Sequence, residues 1–133
     1  MTRNVKIIFS TLARDLSDEP QVLELIGEYT LQNGKRYLRY ENDGIRTLIK
    51  ITDDSVSVIY SGAMNSRMEY APGLTTAGRL KTPEGEFETT AETDRLTVIE
   101  GSGSVLRVIL HYRLSMSGTF VSKYEIEINC LKI

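Results

Sequence analysis

Three hydroxyl side chains set in otherwise apolar runs, Tyr40, Thr47 and Tyr60, are the residues of this chain best suited to chemistry, together with Gly27. Two phenols and an alcohol offer hydrogen-bond donors and acceptors, which suits orienting an amphipathic ligand. The same groups could instead satisfy one another, or one buried water, inside a filled core. The other reactive side chains form no catalytic constellation. His111 is the single histidine and Cys130 the single cysteine, so no nucleophile–base pair and no spaced set of zinc or copper ligands can be read. His111 is expected to face outward beside Lys123, where a cationic neighbour disfavours its protonation and no carboxylate orients it. Gly101-Ser102-Gly103-Ser104 lacks the lysine and following helix of a phosphate loop and reads as a flexible β-turn. Glu84, Glu86, Glu88 and Glu92 fall mostly on one face of a β-run, as a solvated acidic edge does. Arg36, Arg39, Arg46 and Arg67 are scattered.

The elements that must position these residues are marked by turns. Asn33-Gly34, Asp43-Gly44, Asp53-Asp54 and Ser117-Gly118 each sit between alternating runs, and Asn-Gly and Asp-Gly supply the positive φ of two-residue hairpins. The runs are Val5–Ala13, Gln21–Gln32, Lys35–Asn42, Ile45–Thr52 and Ser55–Gly62. They continue through Arg67–Ala71, Ala77–Thr82, Gly85–Ala91, Arg95–Glu100, Ser104–Met116 and Thr119–Leu131. Asp15 to Pro20 reads as a loop, or at most one helical turn. Nowhere does an apolar period of 3.6 residues last three turns, so helix is minor. The pattern predicts an all-β fold: an antiparallel up-and-down barrel of about eight to ten strands, one domain spanning residues 1–133. The segment from Ala71 to Glu86 is either ordered strand and turn or a mobile flap over one mouth.

Turn chemistry also predicts register. A two-residue turn at Asn33-Gly34 sets Tyr29 opposite Leu38 and Gly27 opposite Tyr40. Turns at Asp43-Gly44 and Asp53-Asp54 set Tyr40 opposite Thr47 and Thr47 opposite Tyr60. One face then collects Leu23, Leu25, Tyr29, Leu38, Ile45, Ile49, Ile51, Val56 and Val58, interrupted by the polar row Gly27, Tyr40, Thr47 and Tyr60. A one-residue slip would mix that face with Arg39, Glu41, Arg46 and Lys50. Gly27 removes a side chain where the Tyr40 ring must lie. At the last hairpin, a three-residue loop Met116-Ser117-Gly118 with Gly118 left-handed would set Leu110 opposite Tyr124, Val108 opposite Ile126, Arg107 opposite Glu127 and His111 opposite Lys123.

Bulk properties narrow the function. A formal charge of −2 among 133 residues, 26% of them charged, shows no basic excess for nucleic acid. Cys130 cannot form an internal disulfide and reads as a buried small hydrophobe, which points to a reducing cytoplasm. From Met1 onward no apolar stretch is long enough for a signal peptide, and none of about 18 residues is present for a membrane helix.

The order of motifs resembles the YwiB-like family, bacterial domains of unknown function with a calycin-type, lipocalin-like β-barrel. The residues that carry the resemblance are Tyr37-Leu38-Arg39-Tyr40-Glu41, Thr47 with Ile49-Lys50-Ile51, and Ser61-Gly62-Ala63. Met68-Glu69-Tyr70 with Pro72-Gly73, Thr82-Pro83-Glu84-Gly85, Tyr112-Arg113-Leu114 and Glu125-Ile126-Glu127-Ile128 complete it. Two departures stand out: that family tends to have arginine at the position of Tyr60 and an aromatic at that of Leu80. The Gly-x-Trp signature of true lipocalins is absent, since the chain has no tryptophan. The resemblance implies a barrel in a bacterial, cytoplasmic setting, and it implies no reaction.

The functional expectation is a non-catalytic barrel that binds a small apolar or amphipathic ligand, with no cofactor or metal, no nucleic-acid partner and no membrane span. Gly27, Tyr40, Thr47 and Tyr60 form its candidate site. The competing expectation is a protein-interaction or homodimerisation module whose barrel is filled. A cavity of at least about 300 Å³ reaching solvent separates the two.

Overall fold

Alternating side chains and left-handed turns build ten strands in this chain. The computed structural model describes residues 2–101 and 103–133; Met1, where the reading of the amino terminus began, and Ser102 of the glycine-rich turn lie outside them. The strands are β1 (Thr2–Ala13), β2 (Gln21–Gln32), β3 (Lys35–Asn42), β4 (Ile45–Ile51), β5 (Val56–Gly62), β6 (Asn65–Tyr70), β7 (Thr75–Thr82), β8 (Gly85–Gly101), β9 (Ser104–Met116) and β10 (Thr119–Lys132). Each pairs antiparallel with its neighbour in sequence, and β1 pairs with β10 to close the barrel. No helix occurs among the described residues. The segment from Ala71 to Glu86 is ordered strand and turn, with β7 paired to both β6 and β8.

The early registers are as the turns predict. Asn33 (φ 53°) and Gly34 (φ 75°) take the left-handed conformation at both central positions, as do Asp43 (φ 53°) and Gly44 (φ 75°). They lock Tyr29 opposite Leu38 and Tyr40 opposite Thr47. Asp53-Asp54 works differently. The Thr52 hydroxyl accepts from the Ser55 amide (3.0 Å), and the Thr52 amide donates to the Ser55 carbonyl (2.9 Å), so Thr47 still meets Tyr60 without a positive φ.

Three expectations need correction. Gly85–Ala91 and Arg95–Glu100 are one strand, β8, whose register shifts between Thr93 and Arg95. Because β8 is paired on both sides, its glutamates face solvent from an interior strand and not from a sheet edge; Glu86 meets Arg79 at 2.8 Å and Glu92 meets Arg113 at 3.4 Å. The last hairpin turns on two residues, Ser117 (φ 50°) and Gly118 (φ 80°), and a bulge follows between Phe120 and Ser122. Leu110 therefore faces Ile126 instead of Tyr124, and Val108 faces Ile128. The same displacement puts His111 opposite Glu125, with Arg95 on its other side, instead of Lys123. Glu125 is in turn held by Arg14 at 2.6 Å, and that guanidinium lowers its carboxyl below the ordinary range. Arg107 and Glu127 do form an ion pair (2.8 Å), but diagonally, since Arg107 lies opposite Asn129.

The third correction concerns Gly27. The β2–β3 register is the expected one, but the ladder ends at Glu28 opposite Arg39, one residue short of a Gly27–Tyr40 pair; on its other side Gly27 pairs with Val5 of β1. A Cβ at Gly27 would lie 2.7 Å from the Arg39 carbonyl oxygen and 3.2 Å from Tyr40 Cβ.

The two ends of the barrel differ. Towards the Asn33-Gly34 turn and the Thr52–Ser55 loop, Val5, Ile7, Leu38, Ile51, Leu106 and Cys130 are fully buried and fill the interior. Burying each large aliphatic side chain contributes about 1.5–3 kcal/mol. Arg36 seals this end: buried itself, it pairs with the exposed Asp53 (3.2 Å) and with Glu100. The opposite end, where the 14–20, 43–44, 63–64, 83–84 and 117–118 connections lie, is not filled.

Candidate functional site

A cavity of about 720 Å³ opens at that second end. Its mouth is built from Thr11 and Leu23 at the β1–β2 connection, Met64 between β5 and β6, and Leu114 and Met116 on β9. Ile49, Val56, Val58, Leu110 and Ile128 make its apolar wall and floor, where the filled half of the barrel begins. The apolar side chains lie inward because strands of period two, half-exposed to solvent, turn their hydrophobic set to the core.

Of the four residues singled out from sequence, two line this cavity. Tyr40 and Tyr60 stand on its wall. Thr47 lies behind them, buried, opposite Tyr40 on one side and Tyr60 on the other. Gly27 does not line the cavity; it is the gap that admits Ile7 and the Cβ of Tyr40. Ladder pairing carries the same row onward, from Tyr60 to Ser66 and from Ser66 to Leu80, both of which line the cavity. Tyr60 and Leu80, the two departures from the YwiB-like pattern, thus share one row.

Sequence reasoning missed three further tyrosines. Tyr70 of β6 and Tyr112 of β9 line the cavity, with ring centroids 4.4 Å apart at 39°. Tyr112 also stacks on Tyr124 of β10 at 5.3 Å and 19°. On the other side, Phe9 leans on Tyr40 at 5.3 Å. The signal for Tyr124 was present but misplaced: the expected register of the last hairpin set it opposite Leu110, whereas it meets Tyr112.

Burial makes this cluster electrically neutral. Desolvation pushes the Tyr40 phenol up to about 12, with the neighbouring Tyr60 adding to the effect and Thr47 opposing it. Tyr70 is likewise raised to about 12 by burial, and Tyr112 well above its ordinary value by burial and by Tyr70. Tyr60 shifts upward for the same reason. A phenol that resists ionisation is an uncharged donor and acceptor at every physiological pH. Cys130 sits apart, fully buried in the filled end, its thiol raised to about 12 by burial. Among the described residues, no three of His, Cys, Asp or Glu come together in a way that could hold a metal ion.

The model of a domain of unknown function, DUF1934, matches residues 7–128. The chain belongs to the DUF1934 family. The resemblance to the YwiB-like family drawn from its motifs agrees with a solved relative, the crystal structure of the ywiB protein from Bacillus subtilis. That structure superposes with a TM-score of 0.83, at 21% identity, over 99% of this chain and 93% of the other. At that identity the likeness speaks for the DUF1934 barrel as a fold and for nothing finer. No curated protein matches this DUF1934 chain. No helix of its structure is long and apolar enough to cross a membrane.

Proposed function

We propose that this DUF1934 protein is a non-catalytic, lipocalin-like binder, acting in the bacterial cytoplasm as one barrel domain over residues 1–133. Its ligand is a small apolar or amphipathic molecule held in the barrel. The observation that supports this reading is the cavity of about 720 Å³ that opens at one end of the barrel, well above the size that separates a binder from a filled barrel. Tyr40 and Tyr60 contact the polar end of the ligand, Thr47 holds Tyr40 in place, and Gly27 makes room for it. Native mass spectrometry of protein purified from its own host tests the reading. A mass excess released on denaturation is expected. A bare mass, together with no fluorescence gain from the neutral dye Nile red, counts against it.

One observation favours a second reading, a homodimerisation module. Residues 21–27 of β2 have no ladder partner on the β3 side among the described residues, and Val22 and Ile26 there are 65% and 60% exposed. An apolar strand edge of this kind invites pairing with another strand, in this case β2 of a second copy. The same spectrum reports it as a dimer mass without ligand.

A further inference from the structure

The cavity of a ligand-binding barrel reveals its ligand through the charges it does and does not offer, and this inference rests on the binding reading above. Among the described residues, none of those lining the cavity is Asp, Glu, Lys, Arg or His. Its polar groups are hydroxyls and one amide: the Tyr40, Tyr60, Tyr70 and Tyr112 phenols, the alcohols of Ser66 and Thr89, and their like. The nearest thing to an interior cation, Arg36, lies at the filled end, outside the cavity lining, and is already bound by Glu100 and Asp53.

The charges at the entrance are mixed: Asp15, Asp18, Glu19, Asp43 and Glu84 in its connections stand beside Arg14, Arg46, Lys81 and Lys123, all exposed. The discrimination therefore lies inside, where an anionic head group would find no counter-ion among the residues that line the cavity. Taking a carboxylate from water into such a space without a partner is strongly unfavourable, whereas an alcohol or ester needs one or two hydrogen bonds, which phenols supply.

We infer that the cavity selects an uncharged amphiphile, with an aliphatic body and a hydroxyl or carbonyl head, and rejects the corresponding carboxylate. Phenols present both a donor and an acceptor, so they serve a hydroxyl and a carbonyl equally. Mixed Met and Tyr walls accommodate a flexible aliphatic body without demanding one shape.

The test uses the intact protein with Nile red as reporter at neutral pH, titrated with dodecanol, methyl dodecanoate and dodecanoate. The two neutral compounds are expected to displace the dye, and the carboxylate to do so roughly tenfold less well or worse. Met64→Lys, which places an ammonium at the mouth, is expected to narrow the gap between dodecanol and dodecanoate. Equal displacement by dodecanoate overturns the inference and leaves the binding reading standing. An unchanged gap in Met64→Lys also overturns it, because charge would then not be what discriminates. If Nile red itself does not bind, the binding reading falls and this inference falls with it.

Discussion

The Tyr70 and Tyr112 rings, contributed by β6 and β9, meet 4.4 Å apart in the interior of the barrel. Neither strand pairs with the other; the contact spans the cavity space that the sheet encloses. Removing one phenol takes a polar neighbour from the other, so Tyr112→Phe should lower stability by about 1 kcal/mol in urea unfolding. The double change with Tyr70→Phe should cost less than the sum of the two single changes. Additive losses would mean that the hydroxyls do not interact.

Thr47 separates the two uses of the polar row. If the row serves a ligand, Thr47→Val costs little stability and reduces retention of the bound molecule, read by native mass spectrometry. A stability loss above about 1 kcal/mol with retention unchanged would assign Thr47 to the core alone.

Alkaline pH should weaken the fold. Cys130, Tyr40 and Tyr70 are each raised to about 12 in the folded chain, against ordinary values of 9.0 and 10.0. The unfolded chain thus releases these protons first, and stability falls as pH rises. It should be fully present below about pH 9 and decline from there towards pH 12. Chemical denaturation across that range, with tyrosinate absorbance followed in parallel, checks this. Cys130→Val should remove the earliest part of the decline.

Two ion pairs should differ in weight. Arg36 is 8% exposed and has two further nitrogens, Nε and Nη1, without a hydrogen-bond partner, so it depends on Glu100 and Asp53. Glu100→Gln should cost about 1–3 kcal/mol, less than a fully buried pair because Glu100 is partly solvated. Arg107 and Glu127 are both half-exposed, and Glu127→Gln should cost under about 1 kcal/mol. Equal losses in thermal or urea unfolding would show that Arg36 is better solvated than its burial indicates.

Gly27→Ala should destabilise by about 1–3 kcal/mol, since its Cβ would press on the Arg39 carbonyl, which is backbone and cannot swing aside. Gly34→Ala has open space around it and is expected to cost about 1–2 kcal/mol through its left-handed backbone alone. The two are separated by repacking: Ile7→Val should partly rescue Gly27→Ala, whose Cβ also meets Ile7 Cδ1 at 2.7 Å, and should not rescue Gly34→Ala.

Much of the barrel was legible in the residues themselves. Asn33-Gly34 and Asp43-Gly44 dictate their own backbone angles, and alternation on β2 to β5 then decides which side chains turn inward. From those local rules alone came the closed all-β fold and the row joining Tyr40, Thr47 and Tyr60. Local rules stop where a strand departs from strict pairing. The bulge after Phe120 and the shift near Asp94 have no turn dipeptide to announce them, so Tyr124 and His111 were given the wrong neighbours. That Tyr70 and Tyr112 meet across the interior depends on how ten strands stagger around a closed sheet, and that the interior is filled at one end and hollow at the other depends on summed side-chain volumes. Both are properties of non-local packing, and only the tertiary structure decided them.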